Sequence, residues 1–264
     1  MATTESDIDS AATIAALRTI ARRAGAAILE HYRGARTARV KADESPVTAA
    51  DEAAEAIIVP ALAELLPGVP IIAEEAAALS GLPSSEGYAE RRFWLVDPLD
   101  GTKEFLSGNG EFTVNIALIE GGRPLLGVVH APTLDTCYAG GPDGATKQHG
   151  SEPPRPIAAR RQPPDGAIVL ASRSHGSGQQ LDAFLAGEKV LEHRIAGSSL
   201  KFCLVAEGIA DLYPRFGRTM EWDTAAAHAV LAAAGGRVTT LDGKDLAYGK
   251  PGFDNPHFIA RGRP

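Results

Sequence analysis

The stretch that decides the fold is Trp94-Leu95-Val96-Asp97-Pro98-Leu99-Asp100-Gly101-Thr102. Its apolar run predicts a buried strand that leads directly into two aspartates, and the proline and glycine impose a turn. In α/β folds, the end of such a strand is where polar groups meet a ligand. Two carboxylates this close repel each other unless a proton or a cation lies between them. The stretch therefore indicates a site for a hard cation such as Mg²⁺. The alternative is a plain Asp-Gly turn beside a solvated aspartate.

Further acidic residues stand at the ends of other predicted elements. Glu74 and Glu75 follow a short apolar run that predicts a second strand. Asp223 lies at a predicted helix start, and Asp51 lies in the first turn of another predicted helix. Each has a simpler explanation: a helix cap for Asp223, a favourable helix dipole for Asp51 and a solvated loop for the glutamates.

The rest of the chain predicts an α/β protein in two packed subdomains, 1–150 and 151–264. Long helices are predicted over 8–32 and 48–66, a short extended piece over 39–41, strands over 71–73 and 93–96, and a hairpin over 113–119 and 124–130. A mobile loop is expected over 76–92, and a surface hairpin with the subdomain boundary over 140–164. Beyond it, strands and helices alternate over 167–171, 179–185, 190–195, 199–207, 211–214, 224–234 and 237–240.

Composition narrows the class of protein. The formal net charge of −7 argues against a protein that coats nucleic acid, but not against a small anionic substrate bound through metal ions. No apolar run is long enough for a membrane-spanning helix, and the polar N-terminus lacks a signal-peptide pattern. The two cysteines, Cys137 and Cys203, are expected to be buried thiols in a reducing cytoplasm.

Four motifs, taken in order, resemble one known signature: Asp51, the pair Glu74-Glu75, the central motif and Trp222-Asp223-Thr224-Ala225-Ala226. It is that of the lithium-sensitive, Mg²⁺-dependent phosphatases, the superfamily of inositol monophosphatase, fructose-1,6-bisphosphatase and the bisphosphate nucleotidases. The resemblance spans about 14–260 and implies a five-layer αβαβα sandwich with lithium as an inhibitor. The segments 103–105, 109–116 and 197–202 are similar to those of the CysQ-type 3′(2′),5′-bisphosphate nucleotidases.

The resemblance also implies roles for the acidic residues. Glu74, Asp97 and the carbonyl of Leu99 would hold one Mg²⁺, and Asp97, Asp100 and Asp223 a second, with a third ion near Glu74. Two such ions can clamp a phosphoryl displacement. Asp51, Glu74 and Thr102 would be catalytic, with the Thr102 hydroxyl held by Asp51 and orienting the attacking water. The alternative for Thr102 is a hydroxyl that caps its own turn.

Substrate specificity is expected from a second group of residues. The implied substrate-binding set is Glu74, Asp100, Gly101, Thr102, Lys103, Ser198, Ser199, Lys201, Arg215 and Asp223. The N–H groups of Gly101 and Thr102 would face a phosphate, and Arg215 would suit a second phosphate. The alternatives are a helix N-cap for Ser198 and a solvated Lys201. Arg173 and His175 could touch the base or a phosphate, although simple exposure is favoured, and His228 is interpreted as structural.

The expected activity is hydrolysis of the 3′-phosphate of adenosine 3′,5′-bisphosphate, or of its sulfated precursor, to a nucleoside monophosphate and phosphate. Inositol monophosphatase and fructose-1,6-bisphosphatase activities stay open, because the same metal cluster serves them all. A phosphatase with an aspartate nucleophile is disfavoured, since two residues rather than one separate Asp97 from Asp100. An inactive metal-binding scaffold is disfavoured because every residue of the signature is present. The resemblance is compatible with a homodimer and with a cytoplasmic protein attached peripherally to the inner membrane.

Overall fold

The computed structural model describes residues 8–34, 38–40, 46–172 and 178–264. The helices are α1 (Ser10–Tyr32), α2 (Ala49–Leu65), α3 (Glu74–Ser80), α4 (Thr102–Ser107), α5 (Gln179–Leu185), α6 (Leu200–Ala206) and α7 (Glu221–Ala233). The strands are β1 (Arg39–Val40), β2 (Pro46–Val47), β3 (Ile71–Ala73), β4 (Phe93–Asp100), β5 (Thr113–Glu120), β6 (Arg123–Ala131), β7 (Thr136–Gly141), β8 (Gly144–His149), β9 (Arg155–Ile157), β10 (Ala167–Ala171), β11 (Val190–Ile195), β12 (Leu212–Arg215), β13 (Arg237–Thr240) and β14 (Phe258–Arg261).

The larger sheet has the strand order β3-β4-β5-β6-β7-β8-β9. Its only parallel pair among the described strands is β3 with β4. Strands β4 and β5 are buried over almost their whole length, which explains their continuous apolar runs. The predicted hairpin of β5 and β6 is confirmed, and Gly121 and Gly122 both have positive φ at its turn, as a tight hairpin turn requires.

The smaller sheet has the order β11-β10-β12-β14-β13. Strand β10 pairs in parallel with β11 and β12, whereas β14 runs antiparallel between β12 and β13. The last strand of the chain is therefore an interior strand of this sheet, and it holds β12 and β13 together.

The five layers are packed around three apolar cores, of which the second spans two of the layer boundaries. One core joins α1 and α2 to one face of the larger sheet, and the second joins the other face to α6, α7 and the smaller sheet. The third lies under α5, on the outer face of the smaller sheet. This arrangement confirms the five-layer αβαβα fold that the sequence predicts.

Helix α7 lies unusually close to the larger sheet. A Cβ atom added to Gly127 on β6 would stand 2.3 Å from the carbonyl oxygen of Ala226, and one added to Gly140 on β7 would stand 2.5 Å from Val230 Cα. Only glycine fits at these two positions, because the neighbouring atoms belong to the helix backbone. The close contact brings a helix from the second half of the chain onto the sheet of the first half.

Two parts of the structure differ from the sequence-based expectation. The predicted loop over 76–92 begins inside a helix, α3, and the strand β14 was not predicted. The hairpin predicted over 140–164 is present only in part, because β7 begins already at Thr136, and the larger sheet continues past β8 to β9 at Arg155–Ile157. The subdomain division at residue 150 stays a prediction. Lys41, Arg173 and His175 lie outside the described residues.

Candidate active site

Strand β4 carries two acidic side chains at its C-terminal end. Asp97 is buried, with 2% of its surface exposed, and its Oδ1 accepts a hydrogen bond from the Leu99 N–H at 3.0 Å. The pairing of β4 with β5 is irregular between Asp97 and Asp100. A local irregularity of this kind re-aims side chains, and Asp100 is turned into a pocket that Asp97 underlies.

Asp51 and Asp223 occupy the same position in two different helices. Each is the third residue of its helix, and each carboxylate accepts a backbone N–H three residues earlier: that of Thr48 at 2.8 Å and that of Met220 at 2.9 Å. Neither is therefore the N-cap residue that the simpler explanation of Asp223 invoked. The hydrogen bonds fix both carboxylates at helix starts, where the helix dipole favours negative charge.

A cavity of about 260 Å³ opens where these elements meet. All ten residues of the expected substrate-binding set line it: Glu74, Asp100, Gly101, Thr102, Lys103, Ser198, Ser199, Lys201, Arg215 and Asp223. The remaining expected site residues lie behind the wall, with Asp97 and Leu99 buried in β4 and Asp51 buried at the start of α2. The structure thus brings together side chains that are up to 172 positions apart, from Asp51 to Asp223.

One end of the pocket concentrates negative charge. Burial, followed by the charges of Glu74, Asp100 and Asp223, raises the pKa of Asp97 well above its usual value. Hydrogen bonding with Glu74 acts in the same direction, as expected when two carboxyl groups share a proton. Burial, followed by Asp100 and Glu74, likewise raises the pKa of Asp223.

The same pocket is also lined by two cationic side chains, Lys201 and Arg215. Lys201 is only 4% exposed, and its Nζ donates to the carbonyl oxygens of Ser198 at 2.7 Å and Ala196 at 3.3 Å. Burial lowers the pKa of Lys201 to about 8. The alternative of a solvated lysine is therefore wrong, because burying an ammonium group is costly without such partners.

Arg215 lies beside this lysine with an unused donor. Its Nε is buried and has no hydrogen-bond partner in the described part of the chain, while its Nη2 donates to the Arg218 carbonyl at 3.2 Å. Buried donors are seldom left unpaired. Arg215 also lines the pocket, and a guanidinium there is suited to pair with an anionic group.

Thr102 stands between the acidic end and Asp51. Its hydroxyl lies 3.4 Å from Asp51 Oδ1 and 3.4 Å from the Leu99 carbonyl oxygen. It begins α4, directly after Gly101, whose φ of 94° is open to glycine but strained for other residues. The contact with Asp51 that the resemblance implies is thus present, and the turn-capping contact with Leu99 accompanies it.

Asn115 is a site residue that sequence reasoning missed. It stands opposite Asp97 in the β4–β5 pairing, is 1% exposed, and donates from Nδ2 to Ser199 Oγ at 2.9 Å and to Asp100 Oδ2 at 3.3 Å. The Ser199 hydroxyl in turn donates to the Asp223 carbonyl at 2.7 Å. The missed signal was a lone amide within an otherwise apolar strand, since buried amides need partners.

The sequence analysis considered Ser198 either as a substrate-binding residue or as a helix N-cap. In the structure, Ser198 lines the pocket and Ser199 is the N-cap residue. Ser199 is the residue that precedes α6, and its N–H donates to Asp100 Oδ2 at 2.6 Å. Ser198 has a positive φ of 47°, a conformation that is uncommon for a non-glycine residue and occurs most often at functional sites. The N-cap expected at Ser198 therefore lies one residue later.

The donor set fits hard divalent cations. Asp97, Asp100 and Asp223 are carboxylates with no ion-pair partner among the described side chains, and oxygen ligands of this kind suit Mg²⁺. Within residues 8–34, 38–40, 46–172 and 178–264, no three His, Cys, Asp or Glu side chains converge closely enough to enclose an ion. In this arrangement, Asp100 Oδ2 accepts hydrogen bonds from the Ser199 N–H and from Asn115 Nδ2.

Comparison with known proteins agrees with this architecture. The model of the inositol monophosphatase family matches residues 9–260, and the chain belongs to that family. Enzymes of the family depend on metal ions, generally Mg²⁺. A protein of Escherichia coli named 3′(2′),5′-bisphosphate nucleotidase CysQ is 48% identical over 248 residues, which cover 90% of this chain and 95% of that one.

Solved structures show the same relationship. The crystal structure of CysQ from Bacteroides thetaiotaomicron has a TM-score of 0.82 and 37% sequence identity, and the match covers 96% of this chain and 98% of that one. An inositol monophosphatase from Zymomonas mobilis has a TM-score of 0.76 and 26% identity, with 97% and 94% of the two chains covered. No described helix is long and apolar enough to cross a membrane.

Proposed function

We propose that this chain hydrolyses the 3′-phosphate of adenosine 3′,5′-bisphosphate, and of its sulfated precursor, with Mg²⁺. The observation that carries the proposal is that one pocket is lined both by the carboxylates of Glu74, Asp100 and Asp223 and by two cationic side chains, the buried Lys201 and the half-buried Arg215. A substrate with two phosphates fits such a pocket, because one phosphate can be held through metal ions and the other by the cationic side chains. The names of the relatives support the same substrate.

Eight residues would serve the metal ions, the attacking water and the phosphate that is hydrolysed. We assign one Mg²⁺ to Glu74, Asp97 and the Leu99 carbonyl and a second to Asp97, Asp100 and Asp223, with a third ion near Glu74. When bound, the ions supply positive charge that neutralises the phosphate and increases the acidity of water. Asp51 would hold the Thr102 hydroxyl, which directs the attacking water to phosphorus. The N–H groups of Gly101 and Thr102, at the start of α4, would donate to the phosphate.

The cationic side chains of the pocket would select the substrate. Lys201 and the guanidinium of Arg215 would hold the second phosphate, and Lys103 and Ser198 also line the pocket. Inositol 1-phosphate has no second anionic group for these side chains, so the pocket favours the nucleotide over that substrate. Lithium inhibition and a homodimer are further proposals, and they rest on the family resemblance.

The first test compares phosphate release, with Mg²⁺, from adenosine 3′,5′-bisphosphate, inositol 1-phosphate and fructose 1,6-bisphosphate. We expect the highest kcat/KM for the nucleotide. Adenosine 3′-phosphate, which lacks the second phosphate, should lose at least about tenfold in kcat/KM, since two charge-assisted contacts are missing. A preference for either sugar phosphate would overturn the substrate assignment and leave the metal assignment standing.

The metal assignment has its own test in Asp97→Asn. The variant should keep the fold, because the side chain has the same size, and should lose turnover, because the bridging carboxylate is gone. Circular dichroism measures the first property and phosphate release the second. Substantial Mg²⁺-dependent activity in this variant would refute the assignment.

A further inference from the structure

We propose that the smaller sheet carries a second anion site, built from four arginines and remote from the catalytic pocket. Arg161, Arg237, Arg261 and Arg263 all line a cavity of about 610 Å³. They gather there in a chain whose formal net charge is −7, so the cavity has the opposite sign to the molecule as a whole. The ligand class is a compact oxyanion, namely a phosphate group that is free or carried by a small molecule.

The four arginines form two like-charged pairs that the backbone holds side by side. Arg161 and Arg263 are partners in a parallel bridge, and Arg237 and Arg261 are partners in the antiparallel β13–β14 pairing. Arg261 and Arg263 stand on either side of Gly262, and both side chains line the cavity. Like charges directly opposite each other are unfavourable, and an anion between them removes the repulsion.

The two pairs differ in their acidic partners. Arg237 pairs with Asp245 at 2.8 Å, and Arg261 pairs with Glu188. Within the described chain, Arg161 and Arg263 have no such partner, and their donors are available to a ligand. Arg is well suited to this role, because the planar guanidinium matches two oxygens of a phosphate.

The single acidic side chain that lines the cavity is already neutralised. Asp211 is 3% exposed, and its two oxygens accept from Arg160 Nε and Nη2 at 2.8 Å each. Oδ2 also accepts from the Ile168 N–H at 2.8 Å. Asp211 therefore adds no repulsion toward a bound anion, and it anchors the cavity floor through Arg160.

The cavity and the catalytic pocket lie at opposite ends of the same two strands. Arg215 and Phe258, which line the catalytic pocket, pair across β12 and β14, while Leu212 pairs with Arg261 at the far end. Three residues of strand correspond to about 10 Å. An anion in the cavity is thus separate from the substrate, although the same strands bear both sites.

The test is a calorimetric titration of the metal-free protein with inorganic phosphate at pH 7, with EDTA present. Without metal, the carboxylates of the catalytic pocket repel phosphate, and the double variant below separates binding in the arginine cavity from binding at Lys201 and Arg215. We expect saturable binding to the wild type and at least about tenfold weaker binding to Arg161→Gln/Arg263→Gln, since charge-assisted contacts contribute a factor of this order or more. The control Arg155→Gln/Arg194→Gln removes the same charge from two arginines that pair with Glu152 and Glu192, and it should bind like the wild type.

Either of two results would overturn the proposal: no saturable binding to the wild type, or unchanged binding to the Arg161→Gln/Arg263→Gln variant. A second arm repeats the titration with adenosine 5′-monophosphate. Binding of the nucleotide that is tighter than that of phosphate and is lost in Arg161→Gln/Arg263→Gln would identify a phosphate-bearing metabolite as the ligand of the cavity. Nucleotide binding that the double variant keeps belongs to the catalytic pocket and would leave the free anion as the ligand of the cavity. The titration needs no turnover, so its failure is independent of the failure of the proposed reaction. In phosphate-free buffer, the double variant should melt no lower than the wild type, because it removes a repulsive pair.

Discussion

Asn115 links two carboxylate-bearing parts of the site, Asp100 and the start of α7 at Asp223. It contacts Asp100 and Ser199, and Ser199 contacts the backbone of Asp223. Residues that orient metal ligands typically change metal affinity 10–100-fold when they are lost. We therefore expect Asn115→Ala to weaken Mg²⁺ binding at least about tenfold, as measured by direct calorimetric titration.

The matched control for Asn115 is Thr136→Ala. Thr136 is buried in the same sheet, and its hydroxyl donates to the Leu134 carbonyl at 2.9 Å, away from the acidic end. Thr136→Ala should lose about as much stability as Asn115→Ala, because each variant loses a buried hydrogen bond. Its Mg²⁺ affinity should equal that of the wild type. Equal Mg²⁺ affinity in the Asn115 variant and the wild type would show that Asn115 is only a packing residue.

Lys201 makes substrate recognition sensitive to pH. Its pKa is lowered to about 8 by burial, so the ammonium loses its charge as the pH rises through this value. The kcat/KM for adenosine 3′,5′-bisphosphate should then decline above pH 8, by up to about tenfold per pH unit. Adenosine 3′-phosphate, which gives Lys201 no second phosphate, should lack this decline.

Lys201→Arg provides the check on that pH profile. The guanidinium stays charged throughout, so the decline above pH 8 for the bisphosphate should disappear. Identical profiles for the two substrates, or an unchanged profile in this variant, would contradict a role for Lys201 in binding the second phosphate.

Among the elements, α7 depends on two glycines of the larger sheet. A methyl group at Gly127 would collide with the Ala226 carbonyl, and backbone atoms cannot move aside cheaply. Gly127→Ala should lower the free energy of unfolding by about 1–3 kcal/mol, measured by urea denaturation. It should also lower kcat/KM, because α7 carries Asp223.

A glycine with free space provides the comparison. At Gly187, an added Cβ would lie 3.6 Å from the Phe184 carbonyl oxygen, which is ordinary contact. Gly187→Ala should therefore leave stability unchanged or slightly increased. If Gly127→Ala were equally harmless, the close approach of α7 to the sheet would have no energetic importance.

The sequence was informative where local pattern determines structure. The apolar run of β4, the double-glycine hairpin and the acidic motifs all carry their signal within a few residues, and the structure places them as expected. Strand β14 has only four residues and forms because β12 and β13 flank it, which no local pattern reveals. The buried Lys201 and the amide of Asn115 depend on partners far away in the chain, so propensity could not identify their environment.

At the scale of the whole molecule, the site makes stability depend on both pH and metal. The folded metal-free protein keeps protons on Asp97 and Asp223 at pH values where the unfolded chain, with a usual pKa of 3.8, has released them. Stability must therefore fall as the pH rises above about 4 through the raised pKa values. In EDTA, we expect the Tm to decrease between pH 5 and pH 8.

Saturating Mg²⁺ should reverse this trend, because an ion that binds only the folded state adds stability and favours the ionised carboxylates. Asp97→Asn removes one of the repelling charges, so it should melt above the wild type in EDTA at pH 8 and gain less from Mg²⁺. Parallel melting curves with and without Mg²⁺, for both proteins, would show that the acidic end does not bind the ion.

The interior position of β14 also has a consequence for synthesis on the ribosome. All the acidic residues assigned to the metals have been translated once Asp223 is made, yet β12 and β13 gain their common neighbour only when Phe258–Arg261 emerges. A nascent chain that stalls before residue 258 would carry the acidic residues without the Phe258 wall of the pocket. Activity should consequently appear only after Phe258–Arg261 has been made, and products terminated before residue 258 should be inactive and readily degraded.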